Sequence, residues 1–581
     1  MSSVPEPRLT PLGLRIPGQR RPAPRTLNLS PKNVARWVEG LPATSMETST
    51  RRILKVLAET NQLDLEDEHR RKLLETLRPV LKRAWEYLDR RLAEAAYPLT
   101  DRLRELSDLN LSVQTELATG FKILVENHAS GARQEKQDVI ASDIVAALLH
   151  TGREMFYHWL TYSSPPASAW RELHLLFAYA EQCDLSDLPV HCVTTIPDVS
   201  RDATPTDIYL RTLLLATAQP FSLRPRELLD VAKLLEILAP HGRLVASSSS
   251  PVIGNQYLVD LESDRPPVDA RVAGPKEGPQ WRRLITDQIV RALDAMDPGP
   301  GIGLTIVNGR TQCPAHLAHH LKAEWDLRPK RAFHRHRENL RVQIYLGMDG
   351  SSRLAKTNPN QVGEVWAARG HDELEWLEHN LRSLPDPDSD AFLDPNQVDS
   401  GGISTSWSGD NDWLDKQGAE KPGEDETDVP VAYCRVINES AGGYGLFWEA
   451  SNAGHARVGE VLYLQNLENG QVLGLGTIRW IKAFSGGQLQ LGVELLAPVA
   501  TPTRVSKTGD TTQRPALLLP EIPSLQRPAN LLLPPLGFQV GDTLRLAEKN
   551  SLNLVRLTRK LETTGSYSRF QYLELKALTN G

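Results

Sequence analysis

The sequence predicts a multidomain α+β protein, with an all-α helical bundle or solenoid in its N-terminal part and an antiparallel β-barrel followed by an additional β-rich unit in its C-terminal part. Three observations carry this. Apolar residues recur at three- and four-residue spacing up to about residue 240, the period changes to two from about residue 429, and 581 residues exceed what one core fills at roughly 150 residues per domain. A hydrophobic fraction of 40% with 24% charged residues fits a globular chain. No stretch reaches the ~18–20 uncharged apolar residues that a membrane span requires.

Residues 1–30 are Pro/Arg-rich without an apolar run, so they read as a flexible tail and not as a secretory signal. Over 31–240 the pattern is helical. Leu73, Leu77, Leu81, Ala84, Leu88 and Leu92 fall on one face of a helix, and Leu228, Ala232, Leu235 and Leu238 repeat the pattern in a segment that ends at Pro240. Such helical arrays offer surfaces to other proteins, so a protein partner is expected through this region. Residues 241–328 form a mixed α/β connecting region, with strand-like NQYLVDLES and GIGLTIVNG beside helical RLITDQIVRALDAM and PAHLAHHLKAEW. From 429 the short alternating runs VAYCRVIN, GEVLYLQN, GLGTIRWIKA and GQLQLGVELL, separated by Gly/Asn/Ser turns, predict a small antiparallel barrel over 329–350 plus 429–500. A polar joint, TPTRVSKTGDTTQ, leads to a β-rich unit over 505–581.

The net charge of −6 hides an uneven distribution. Between Ser351 and Pro430 there are 18 acidic against 6 basic residues, a local −12 that leaves the rest of the chain at +6. Residues 351–428, rich in Pro, Gly, Ser and Asp, cannot bury enough apolar surface to offset their ordering entropy. They read as an acidic, largely disordered insertion. Four cysteines (Cys183, Cys192, Cys313, Cys434) without CxxC spacing make no disulfide framework, which points to a reducing compartment, hence the cytoplasm.

Catalytic signals are absent. PGPGIGLTIVNGR lacks the strand–loop–helix context of a phosphate loop and reads as a turn entering a strand. His316, His319 and His320 sit at helical spacing, but no acidic or Cys ligand is placed with them, so a solvent-facing helix edge is expected and no metal. There is no GxSxG, HExxH or kinase set, and an enzyme is not indicated.

Two elements stand out. PKRAFHRHRENLRVQIYLG carries Lys330, Arg331, Arg335, Arg337 and Arg341 ahead of an alternating strand, and VINESAGGYGLFW places Asn438, Ser440 and Gly443 at the end of another. Read singly, they are a solvated basic face and an ordinary β-turn. Together they resemble the PilZ-domain family of bacterial cyclic di-GMP receptors, whose pattern is RxxxR on the loop entering the barrel and [D/N]xSxxG at the end of the next strand. Arg331 and Arg335 match the first part, and Asn438, Ser440 and Gly443 match the second. Ile478-Arg479-Trp480 and Leu491-Gly492-Val493-Glu494-Leu495 are also similar to the family's later strands. Arg337 and Arg341 form an overlapping RxxxR, but Arg341 already lies in the strand. The two motifs stand about a hundred residues apart instead of a few tens. The acidic insertion supplies the excess, and a longer flexible loop costs only about 0.6 kcal/mol per doubling.

The resemblance implies cyclic di-GMP as ligand, with Arg331, Arg335, Asn438, Ser440 and Gly443 as its binding residues, and no turnover. It also implies outputs in motility, pili or surface attachment. The chemistry agrees: arginine bonds bidentately to guanine O6 and N7 or to phosphate and stacks on bases, an asparagine reads an amide edge, and glycines allow close backbone approach. A ligand-independent PilZ-like scaffold or adaptor is the alternative. Single-stranded nucleic acid is disfavoured, because only Phe333 and Tyr345 lie near the arginines and the flanking stretch is acidic.

Overall fold

Caps and apolar stripes set the N-terminal part. In a computed structural model of the chain, residues 11–22, 31–42, 45–131, 135–192, 201–248, 254–299, 303–307, 310–326, 340–351, 431–440, 442–449, 455–521, 528–548 and 551–575 are described. The helices are α1 (Pro31–Glu39), α2 (Met46–Asn61), α3 (Asp67–Ala93), α4 (Asp101–Ala129), α5 (Gln137–Leu160), α6 (Ala169–Gln182), α7 (Pro205–Thr217) and α8 (Pro225–Leu238), with a short hairpin of β1 (Val190–Cys192) and β2 (Arg201–Ala203) between α6 and α7. The Ser45 and Thr100 hydroxyls accept from the first turns of α2 and α4, and Thr204 with Asp207 makes a reciprocal capping box on α7. Leu73, Leu77, Leu81, Leu88 and Leu92 of α3 are all buried.

Residues 11–22 correct the expectation of a flexible tail over 1–30. Leu14 and Ile16 are buried in the helical core. The Leu12 and Leu14 amides donate to the two carboxylate oxygens of Glu126 (3.1 and 3.0 Å), and the Arg15 amide donates to Glu172 (2.9 Å). Partners more than a hundred residues away order a segment whose own composition reads as loose.

The connecting region holds β3 (Arg243–Ala246), β4 (Gln256–Asp260), β5 (Val268–Asp269), α9 (Ala270–Ala273), β6 (Trp281–Ile285), α10 (Asp287–Asp294), β7 (Pro298–Gly299), β8 (Thr305–Val307), β9 (Arg310–Pro314) and α11 (Ala315–Trp325). Its sheets run β3-β6-β4-β5 and β7-β9-β8. Trp325, at the end of α11, is fully buried: its indole donates to Thr217 Oγ1 (3.2 Å) and its carbonyl accepts from Thr286 Oγ1 (2.8 Å).

Two closed six-stranded barrels follow. The first comprises β10 (Arg341–Leu346), β11 (Val431–Ser440), β12 (Gly443–Trp448), β13 (Val461–Asn466), β14 (Val472–Ala483) and β15 (Leu489–Ala497), in the order β10-β11-β12-β15-β14-β13. β10 and β11 are antiparallel neighbours with Val342 opposite Cys434, so the stretch between Ser351 and Val431 falls in the connection between these two paired strands. Residues 352–428 of the acidic insertion lie outside the described residues. The barrel interior is filled by Val342, Ile344, Cys434, Val436, Leu446, Trp448, Ile478, Leu491 and Val493.

The C-terminal β-rich unit is itself a closed barrel: β16 (Thr501–Lys507), β17 (Arg514–Leu519), β18 (Asn530–Leu533), β19 (Thr543–Glu548), β20 (Ser551–Thr563) and β21 (Ser568–Leu575), ordered β16-β17-β18-β21-β20-β19. TPTRVSK, which its polar composition marks as a joint, is β16, completed by its pairing with β17 and β19.

The units share cores. Apolar residues of the helical region and of the first barrel's interior form one continuous cluster. On the first barrel's outer surface, Val461, Tyr463, Val472 and Leu475 pack with Leu517, Leu519, Leu532 and Tyr567 of the second. Arg224, just before α8, ties three units together: its Nε donates to the Val458 carbonyl (2.7 Å) and its Nη2 to Ser566 Oγ (2.6 Å). Hydrogen bonds from a charged donor contribute about 1.5–3 kcal/mol each. Arg224→Ala is therefore expected to lower the thermal midpoint and to speed hydrogen exchange at 458–459 and 564–566, measured by differential scanning fluorimetry and exchange mass spectrometry.

Candidate functional site

With β13 and the start of β14 covered by the second barrel, the outer face of β11, β12, β15 and the end of β14 is the part of the first barrel that carries the Asn–Ser–Gly motif. Two β-bulges aim its side chains. The β11–β12 register shifts between Val436 and Asn438, and the β14–β15 register shifts between Ile478 and Trp480, so Ile437 and Arg479 are the extra residues. Each bulge reverses the alternation, which turns Asn438 and Trp480 outward while Val436 and Ile478 stay in the core.

The result is one continuous row across four strands. Asn438 is opposite Gly445, Gly445 opposite Gly492, and Gly492 opposite Trp480. A side chain at either glycine would displace its neighbour. A Cβ on Gly445 would stand 2.5 Å from Asn438 Oδ1, and one on Gly492 would stand 1.9 Å from Trp480 Nε1. An amide and an indole therefore lie flat over two bare backbone positions, making a shelf with a hydrogen-bonding group at one end and a ring at the other. The Asn438 amide makes no hydrogen bond among the described residues. In the next row, Arg435 stands over the Phe447 ring (5.6 Å to its centroid), and Lys482 over Phe484 (5.7 Å). Burial holds the Lys482 ammonium below its usual pKa.

The other two motif residues shape the turn. Ser440 and Gly443 pair across a two-residue loop, with Ser440 Oγ donating to the Gly443 carbonyl (3.3 Å). The Gly442 carbonyl accepts from the Leu495 amide of β15 (2.9 Å). A Cβ on Gly443 would be 1.9 Å from the Val493 carbonyl oxygen, so this glycine is required by the close approach of β12 to β15.

Arg331 and Arg335 lie outside the described residues; the point where their segment joins the barrel does not. The Leu340 carbonyl accepts from the Val436 amide (2.8 Å), two residues before Asn438. The chain thus enters the barrel at the end that bears the 438–443 turn. Five residues span at most about 18 Å, which sets the distance within which Arg335 must fall from Leu340.

Beside the turn an ionic network crosses to the second barrel. Glu494, opposite Gly443, accepts from Arg479 Nε (2.6 Å), Arg479 also pairs with Glu562, and Tyr567 Oη donates to Glu562 (2.9 Å). Burial works against the charge on both ionic partners. Nevertheless Tyr567, Glu494 and Glu562 raise the Arg479 pKa, and Arg479 holds the Glu562 carboxyl below the usual carboxylate range. A depressed folded pKa means that the contribution is complete above the unfolded value of 4.5 and is lost as pH falls through the lower folded one. Docking of the two barrels is therefore expected to weaken below about pH 4, and Glu562→Gln should flatten that acid limb in pH-dependent thermal melts.

The histidine trio is not a uniform solvent-facing edge. His316 Nε2 meets Glu227 (3.1 Å), His320 Nε2 meets the Ala218 carbonyl (2.9 Å), and only His319 is exposed, because α11 packs against the helical region. Among the described residues no group of His, Cys, Asp or Glu is gathered to hold a metal, and no helix is long and apolar enough to cross a membrane.

Sequence reasoning missed Gly445, Trp480 as a site residue, and the Arg435 and Lys482 row. Gly492 and Trp480 stand in the strands that resemble the family, but their meeting with Asn438 depends on two bulges that the spacing does not announce.

Three domain families match the chain in succession: the Cyclic-di-GMP receptor FimW, N-terminal domain, over residues 32–248; the Cyclic-di-GMP receptor FimW, middle PilZ domain, over 256–502; and the FimW C-terminal beta-barrel domain over 501–575. The chain is similar to the Cyclic-di-GMP receptor FimW of Pseudomonas aeruginosa, with 25% identity over 613 aligned residues that cover 97% of this chain and 93% of that protein. No solved structure matches.

Proposed function

The chain belongs to the PilZ-domain family, in the three-domain arrangement of FimW, and from that premise we propose that it is an effector that binds cyclic di-GMP and passes the signal to a protein partner. The observation that supports this most is the shelf of Asn438, Gly445, Gly492 and Trp480, at the end of the barrel where the Arg331/Arg335 segment enters. A guanine base stacks on the outer face of the Trp480 indole, which with the Asn438 amide covers the paired glycines, and offers its amide edge to Asn438. Arg331 and Arg335 supply bidentate contacts to the second guanine or the phosphates. Ser440 and Gly443 hold the turn in place.

No turnover is part of this reading, since the described residues of the site present donors, rings and backbone without a nucleophile–base pair. The helical region is the partner-binding arm, with outputs in motility, pili or surface attachment, and the cytoplasm is where ligand and receptor meet. Coupling runs through the 327–339 segment. It is anchored upstream at buried Trp325 and downstream at Leu340, so ligand held by its arginines acts on α11. Saturating cyclic di-GMP is expected to slow hydrogen exchange in 315–325 as well as at 438–445. Protection confined to the barrel would remove the coupling and leave binding intact.

Calorimetry of wild type and Arg335→Ala, first with cyclic di-GMP and then with single-stranded DNA, tests the reading. Heat with the dinucleotide alone, lost in the variant, is the expected result. A silent wild type would favour the ligand-independent scaffold.

A further inference from the structure

All four units meet around a cleft of about 870 Å³. The helical region contributes Arg224 and Glu227, the connecting region His316, His319 and Glu324, the first barrel Gly459 and Arg479, and the second barrel Arg559, Lys560, Glu562 and Arg569. The volume falls within the ~300–1,000 Å³ typical of small-molecule sites.

The charges around it are unbalanced. Five Arg and Lys side chains face three carboxylates. Two of those carboxylates are already engaged, Glu227 by His316 and the Arg224 amide, and Glu562 by Arg479 and Tyr567. Two of the cations make no hydrogen bond among the described residues. Arg559 is exposed and has no partner among the described residues. Arg569 helps by its charge to hold the Glu562 carboxyl opposite it low, but makes no hydrogen bond among the described residues, and its Nε is buried. A buried donor left without an acceptor is costly, and one lining a cavity points to an acceptor that arrives with a ligand.

The ladder places these two guanidinium groups on one face. Arg559 is opposite Gln571 and Arg569 opposite Glu562, so they stand two residues apart along β21, about 7 Å. Forked donors at that spacing suit an anion with more than one acceptor-rich centre. Among the described residues lining the cleft the aromatic rings are imidazoles, so charge and not stacking would hold the occupant.

We propose that this cleft is a second, separate anion site, which takes a small molecule bearing two or more phosphate groups and holds it chiefly by Arg559 and Arg569. It is distinct from the shelf on the first barrel, which it approaches through Ile478, Arg479 and Arg479's partner Glu494.

Titration calorimetry of the full chain with sodium pyrophosphate tests this. Wild type should bind, the double variant Arg559→Gln/Arg569→Gln should lose at least tenfold in affinity, and its response to cyclic di-GMP should be unchanged. Asn438→Ala should show the reverse, losing the dinucleotide and keeping pyrophosphate. If the double variant does not fold, Arg559→Gln alone, at an exposed and unpartnered position, carries the same test with a smaller loss. The proposal is overturned if wild type gives no pyrophosphate heat or if the arginine variants bind it as wild type does. Loss of both ligands together in either variant would also overturn it, since the cleft would then be part of the dinucleotide site.

Discussion

Replacing Arg331 and Arg335 together by alanine should weaken cyclic di-GMP binding at least about a hundredfold while leaving the thermal midpoint of the ligand-free protein within a degree or two. Truncating one partner of a hydrogen-bonded charge contact costs about 2–5 kcal/mol, and each 1.4 kcal/mol is tenfold in affinity. Two such losses would exceed a hundredfold even if they were far from additive. The protein itself should not notice, because the described residues of the core, before 327 and from Leu340 onward, already fill the barrel's interior and pack it against the helical region. Isothermal titration with the dinucleotide, alongside a melt without it, separates the two quantities. Equal affinity in wild type and variant would mean that the arginine pair is a solvated basic face and no more.

Gly443→Ala should have the largest effect on stability of any single methyl added to the first barrel. The new Cβ would stand 1.9 Å from the Val493 carbonyl oxygen and 2.9 Å from its carbon, both backbone atoms that no side-chain rotation can move. β12 and β15 must separate, which disturbs the Gly443–Glu494 and Gly445–Gly492 pairs and with them the shelf. Overpacking costs about 1–3 kcal/mol and more where the backbone must shift, so a loss of about 3 kcal/mol or more is expected in urea unfolding. Gly486→Ala is the control. That glycine also has a positive φ (+84°) but nothing within 4 Å of its Cβ position, so only the backbone penalty of about 1–2 kcal/mol remains. If both variants unfold alike, the close approach is not what the motif glycine serves.

How much of this was legible in the sequence differs from element to element, for physical reasons. Helix α3 was open to reading because a local stripe of leucines decides it. The alternation of β10 and β11 was equally plain, and so was the place of the acidic insertion between them. Closure of the second barrel was not. β18 is four residues, all buried, with prolines close on both sides, so it shows no period of two, and its partners β17 and β21 are set by tertiary pairing. The 11–22 segment carries Leu12, Leu14 and Ile16 at alternating positions, but what orders it is Glu126 and Glu172, far along the chain.

The candidate site divides in the same way. Asn438, Ser440 and Gly443 were readable as a motif because they sit within six residues. Their division of labour was not, since only the Ser440–Gly443 bond and the Val493 contact show that two of them hold the turn. Trp480, Gly445 and Gly492 depend on registers that two bulges shift. Arg479 is one of those bulge residues, and its part in joining the barrels follows from Glu562 in a different domain.

A crystal structure of the full chain grown with cyclic di-GMP examines the core of the account most directly. The expected result is a guanine stacked on the outer face of Trp480 with its amide edge at Asn438, and the Arg331 and Arg335 guanidinium groups on the dinucleotide's other edges. A dinucleotide bound elsewhere, with that row of four residues bare, would contradict it.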